Sequence, residues 1–82
     1  MNEVYLLGKV LEIGQFRFIY GKNLLHKSMM EIVVETIDNM KIVCRGYDDM
    51  ADKILREEYC MVLICGRLKT DGFVEIVSVE KV

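Results

Sequence analysis

Proline is absent from all 82 residues, so no backbone amide is missing from a potential sheet ladder and the chain is free to be mostly paired strand. The single histidine, His26, stands beside Ser28 with no orienting acid close in sequence and no glycine-rich elbow, which leaves a nucleophile–base pair unassembled. Cysteine is scarce and odd in number. Cys44, Cys60 and Cys65 form no C-x-x-C pair and no ligand cluster, which argues against a disulfide framework and a zinc site. Each lies in or beside an apolar run, where a reduced thiol behaves as a small core residue. No stretch of eighteen apolar residues exists to cross a membrane as a helix, and Glu3 and Lys9 interrupt the start where a signal peptide has its apolar core. Gly8 and Gly14 do not make a phosphate-loop or dinucleotide fingerprint. No linker-like or repeated segment divides the chain. These absences lead us to expect a soluble, cytoplasmic protein that is not an enzyme and holds no metal or cofactor.

What is present is apolar residue and charge of both signs. The length corresponds to one small domain, residues 1–82, near the size at which a single core only just supports folding, so that self-association adds useful buried surface. The formal net charge is −2, which argues against an indiscriminate polyanion binder. Its distribution is uneven. Gln15 to Met30 carries Arg17, Lys22, His26 and Lys27 and no acid, whereas Asp48, Asp49, Asp52, Glu57 and Glu58 crowd one later segment.

That later segment is the centre of a strand–helix–strand unit, Lys41 to Lys69. Met50, Ala51, Ile54 and Leu55 fall on one helical stripe, with charges on the remaining circumference, and Asp48 and Asp49 stand where an N-cap and first turn favour a carboxylate. Before the helix, Lys41 to Tyr47 alternates Ile42, Cys44 and Gly46 against Lys41, Val43, Arg45 and Tyr47. After it, Met61 to Leu68 is apolar on both faces, as expected of a strand covered on both sides. Upstream, Glu3 to Leu11 alternates Val4, Leu6, Gly8 and Val10 against Tyr5, Leu7, Lys9 and Leu11, Gly8 suggests a bend, and Phe16 to Tyr20 continues as strand. Gly21-Lys22-Asn23 signals a turn, a second strand runs from about Leu25 to Thr36, Asp38-Asn39 closes the next hairpin, and Asp71-Gly72 leads into a last alternating strand from Phe73 to Val82.

At Asn2-Glu3-Val4-Tyr5-Leu6-Leu7-Gly8-Lys9-Val10, at Gly46 with Met50-Ala51, and at Val62 through Gly66-Arg67-Leu68, the chain resembles the bacterial single-stranded DNA-binding proteins and their primosomal relatives. There the corresponding segments are an opening N-x-V-x-L-x-G-[RK] strand, a G-K-L-A-E segment and a V-x-V-x-G-R-L strand, in this order. The resemblance covers nearly the whole chain. It implies a mainly all-β fold, a five-stranded Greek-key OB-fold barrel with one α-helix between the third and fourth barrel strands. It also implies binding of single-stranded DNA or RNA without sequence preference, in replication, recombination or transfer of DNA, by a homodimer or homotetramer. The chain departs from the family pattern in having no tryptophan, in placing Arg45 before Gly46 where an aromatic is usual, and in its short loops at Asp38 and Asp71.

Single-strand binding requires flat surfaces for bases and cations that follow the phosphates. The candidates are Arg17, Tyr20, Lys22, Lys27, Lys41, Arg45 and Tyr47, with Tyr47, Arg45 and Lys41 sharing one face of their strand. Phe16, Phe18 and Tyr20, at spacing two, fit a core face as well as a stacking surface. Glu31 and Glu35 share a strand face, where exposed charge is routine. The alternative function is an OB-fold assembly or protein-interaction subunit without nucleic-acid binding, favoured by the net acidity and the missing tryptophan.

Overall fold

The computed structural model describes residues 2–20 and 26–82, without the side chains of Tyr20 and His26. The turn expected at Gly21-Lys22-Asn23 and the start of the second strand at Leu25 fall outside the described residues. The described elements are β1 (Val4–Ile13), β2 (Arg17–Tyr20), β3 (His26–Thr36), β4 (Lys41–Tyr47), α1 (Asp49–Arg56), β5 (Met61–Leu68) and β6 (Val74–Lys81).

The strands form one sheet in the order β1-β5-β6-β4-β3-β2, and β1 also pairs with β3. Five strands therefore close into a ring, with the helix between the third and fourth of them. The segment expected to prolong the first strand instead separates as β2, paired antiparallel with β3. Closure depends on β1 serving two partners. Gly8 lies opposite both Thr36 of β3 and Val62 of β5, and Lys9 opposite both Glu35 and Met61. A Cβ at Gly8 would run into the Glu35 carbonyl oxygen and lie 2.7 Å from a Val34 methyl, so only glycine lets the two ladders approach this closely.

Alternation sends Leu6, Met30, Ile32, Val34, Cys44, Val62, Ile64, Val74, Ile76 and Val79 inward, and α1 closes one end of the ring with Ala51 and Ile54. Gly46 makes room for that helix: a Cβ there would lie 2.8 Å from Met50 Cγ and 2.9 Å from the end of Ile54. Two bulges break the strict alternation read from the sequence. β1 gains a residue at Leu11, between Val10 and Glu12. β6 gains one at Val77, because Cys65 faces Ser78 while Gly66 faces Ile76. The second bulge flips parity, so that Val79 and not Ser78 points inward.

Other expectations are corrected. Leu55, assigned to the apolar stripe of the helix, is 54% exposed, since its neighbours Ala51 and Ile54 already fill the contact. Asp48 occupies the N-cap position without capping the helix. Its carboxylate instead accepts from the Ser28 amide at 3.3 Å, while its own amide donates to the Ser28 carbonyl at 3.0 Å. The helix start is thus tied to β3. β5 is covered on one face only: Met61 and Leu63 are exposed and Cys65 is half-buried. Of the three thiols only Cys44 is a buried core residue, and Cys60 is exposed. Among the described residues, no helix is long and apolar enough to cross a membrane.

Burial pushes the Cys44 thiol up from 9.0 to about 12. Burial, with help from the neighbouring Glu57 carboxylate, pushes the Tyr59 hydroxyl up from 10.0 to about 12. In each case the folded chain keeps a proton that the unfolded chain releases, so the stabilisation is complete below the unfolded value and is lost as pH rises through the folded one. The midpoint of urea unfolding should therefore hold to about pH 9 and fall steadily between about pH 9 and about pH 12. Parallel thiol labelling should modify Cys60 first and Cys44 only on unfolding.

Candidate nucleic-acid interface

Residues directly opposite one another on paired strands share a face, as do residues two apart along a strand. Applied to β2, β3 and β4, these rules gather most of the sequence candidates on one outer surface. Arg17 faces Met29 and Ile19 faces Lys27 across the β2–β3 pair. Met29 faces Tyr47, Glu31 faces Arg45, and Glu35 faces Lys41 across the β3–β4 pair. Met29 is buried although it points outward, away from the barrel core. Arg17, Lys27, Lys41, Arg45 and Tyr47 thus lie on a common face; Lys22 and the Tyr20 side chain lie outside the described residues.

Two environments divide this surface. Toward the β2–β3 end, the Lys27 ammonium sits 5.7 Å from the centroid of the half-buried Tyr47 ring, and among the described residues neither Lys27 nor Arg17 has an ion-pair partner. A cation beside an aromatic face is attracted by the ring quadrupole and remains open to an anion on its other side. This end offers a ring beside charge that has no ion-pair partner among the described residues.

Toward the middle of the sheet the charges are matched. Glu31 on β3, Arg45 on β4, Glu75 on β6 and Arg67 on β5 follow one another across four strands. Arg45 Nε donates to Glu31 Oε1 at 3.2 Å, and Lys69 Nζ lies 3.0 Å from Glu75 Oε1. Farther along, Glu35 lies between Lys9 and Lys41. The guanidinium carbon of Arg45 is also 4.3 Å from the centroid of Phe73, so this side chain is fixed by a carboxylate and a ring at once.

Phe73 and Glu31 were not among the sequence candidates for binding. Phe73 directly follows the Asp71-Gly72 turn, and its alternation with Glu75 is readable. Its contact with Arg45 arises from the parallel β4–β6 pairing, which no local pattern announces. The aromatic run upstream divides. Phe16 packs against the core and meets Phe18 edge-on at 5.3 Å, while Phe18 is 55% exposed. Phe18 faces Ser28, on the side of β2–β3 opposite to Arg17. A separate cleft of about 440 Å³, lined by Ile13, Met30, Ile54, Leu55, Tyr59 and Cys60 among others, opens beneath α1 and includes none of the cationic candidates.

A closed five-stranded ring with a helix after its third strand defines an OB-fold. No family model and no curated protein matches the chain. Solved structures do match. PriB from Ralstonia solanacearum is similar at a TM-score of 0.75 and 14% identity, covering 99% of this chain and 97% of that one. A second structure of PriB from the same organism gives 0.72 at 15% identity over 100% and 99% of the two chains. The SSB domain of a Synechococcus sp. protein gives 0.71 at 20% identity over 98% and 94%. The shared feature is the fold, end to end.

Both members of the Glu31–Arg45 pair are about one-third exposed, with side-chain exposures of 32%, which limits its contribution through solvent screening. A double-mutant cycle with Glu31→Gln and Arg45→Met should give a coupling of about 0.5–1 kcal/mol by chemical denaturation.

Proposed function

We propose that this chain is a single-stranded nucleic-acid-binding module that takes its ligand on the outer face of β2, β3 and β4 without sequence preference. The observation that carries the reading is the placement of Arg17, Lys27, Lys41, Arg45 and Tyr47 on one strand face, with the Lys27 ammonium 5.7 Å from the centroid of the Tyr47 ring. It is supported by the end-to-end fold likeness to PriB and to an SSB domain. In this reading Tyr47 stacks on a base and Arg17 and Lys27 engage phosphates first, because neither has an ion pair to break among the described residues. Lys22, which follows β2 in sequence, adds charge. Nothing on this face supplies a directed set of donors and acceptors for one base, which fits stacking without sequence readout. The ligand is single-stranded DNA, with RNA as the competing substrate in the test, and the setting is cytoplasmic DNA replication, recombination or transfer.

Titration of a labelled oligo-dT by anisotropy should show binding that weakens as salt rises, because phosphates neutralised by the protein release condensed counterions. Tyr47→Ala should weaken binding by at least about fivefold, the lower end of the value of one stacked base. Arg17→Gln should flatten the salt dependence by about 0.7 in logarithmic slope. Absence of salt-sensitive binding at micromolar protein would refute the reading.

A homo-oligomer is the second part of the proposal. Tyr5 and Leu7 of β1 lie opposite Cys65 and Leu63 of β5, next to Met61, and Tyr5 is 65% exposed. This apolar stripe lies on the uncovered face of those two strands, and a second copy of the chain would bury it. Light scattering should give a mass that is a multiple of the 9.5 kDa chain, reverting to the monomer in Leu7→Lys/Leu63→Glu. A monomeric parent protein would remove this part alone.

A further inference from the structure

Arg45 is a cation of the candidate face held from two directions, by Glu31 at 3.2 Å and by the Phe73 ring at 4.3 Å. A guanidinium over an aromatic face occupies the position that a base would take, and a carboxylate bonded to that guanidinium occupies the position of a phosphate. We propose that the free protein keeps a second stacking site closed in this way: Phe73 is a base platform, Arg45 is its resident occupant, and Glu31 is the internal competitor that holds it there. The inference rests on the nucleic-acid reading above and deepens it.

The exchange follows from the geometry. An incoming strand contacts Arg17, Lys27 and Tyr47 first, since these have no ion-pair partner among the described residues. Extension along β4 brings the next phosphate to Arg45, whose guanidinium leaves Glu31 and Phe73 for that phosphate, and a base takes the vacated ring. Because the Glu31–Arg45 pair is partly exposed it is worth little, so a phosphate diester can compete with it. The opening nevertheless leaves an unneutralised carboxylate beside the bound backbone. That repulsion lowers affinity and shortens residence. It also hides a phosphate contact from the salt dependence, because Glu31 reacquires a cation as the nucleic acid loses one.

The charge ladder around it is consistent with this role. Glu75, on the far side of Arg45 in the same row, is itself paired with Lys69, so it does not offer Arg45 an equivalent alternative. Glu31 is therefore the residue whose removal leaves the guanidinium without an ion-pair partner among the described residues.

The test compares oligo-dT binding across a salt series for the full chain, Glu31→Gln, Phe73→Leu and, as a charge-matched control, Glu58→Gln, each checked for folding by circular dichroism. Glu31→Thr replaces Glu31→Gln if the latter does not fold. Removal of the carboxylate should tighten binding by at least about threefold and steepen the logarithmic salt slope by about 0.7, the value of one additional phosphate on a single strand. Phe73→Leu, which keeps an apolar side chain but removes the ring, should weaken binding by at least about fivefold, and the control should change neither quantity comparably. Unchanged affinity and slope in folded Glu31→Gln, alongside clear binding by the parent chain, would overturn the inference and leave the nucleic-acid reading standing. Unchanged affinity in Phe73→Leu would overturn the platform. No binding by any of the proteins would remove both readings together.

Discussion

The architecture depends on one strand doing the work of two. β1 hydrogen-bonds to β5 along its first half and to β3 along its second, and the two ladders overlap at Gly8 and Lys9. A flat six-stranded sheet would leave β1 and β2 as free edges and expose half of the apolar side chains that now point inward. Closure through β1 removes an exposed edge from that strand and creates the interior. The requirement is local and steric: where two backbones converge on the third, a side chain at position 8 has no space.

Closure also decides what the outside looks like. Because paired strands put opposite residues on the same face, charges alternating between strands become rows of opposite sign, as in Glu31–Arg45–Glu75–Arg67 and Lys9–Glu35–Lys41, and within them Glu31 and Arg45 close to an ion pair. Such rows hold the middle of the sheet near neutrality. Only the β2–β3 end escapes, since the stretch that forms it is free of acid, and there Arg17 and Lys27 have no ion-pair partner among the described residues. A chain of net negative charge can therefore present a local cationic surface beside an aromatic ring. The acidity gathers instead around the helix, where Asp49 and Asp52 sit in the first turn and interact favourably with the helix dipole.

Much of this was readable before the structure. The period of two identified the strand segments, the period of 3.6 identified the helix, and glycine and asparagine marked the turns, where Asn39 and Gly72 indeed adopt positive φ of 64° and 88°. The common face of Lys41, Arg45 and Tyr47 followed from alternation along a single strand. Departures came where an effect was non-local. A bulge at Val77 inverted the parity of the last strand without altering its composition. Leu55 lost its place in the core to closer neighbours. Apolar residues on the outer face of β5 read as buried because a residue's type says how it would pack, not whether a covering element exists. Phe73 and Glu31 gained significance only through which side chains they touch.

The sequence by itself determined the helix and the main strand segments, their order, the side of β3 and β4 that seeks an interior, and an uneven distribution of charge, because these follow from spacing along one chain. Tertiary structure decided the closure of the ring, the bulge positions, the seat of the helix on Gly46, and the meeting of Arg45 with Glu31 and Phe73. Those depend on pairings between segments far apart in sequence, and no backbone period encodes which cation will find a carboxylate and a ring waiting on neighbouring strands.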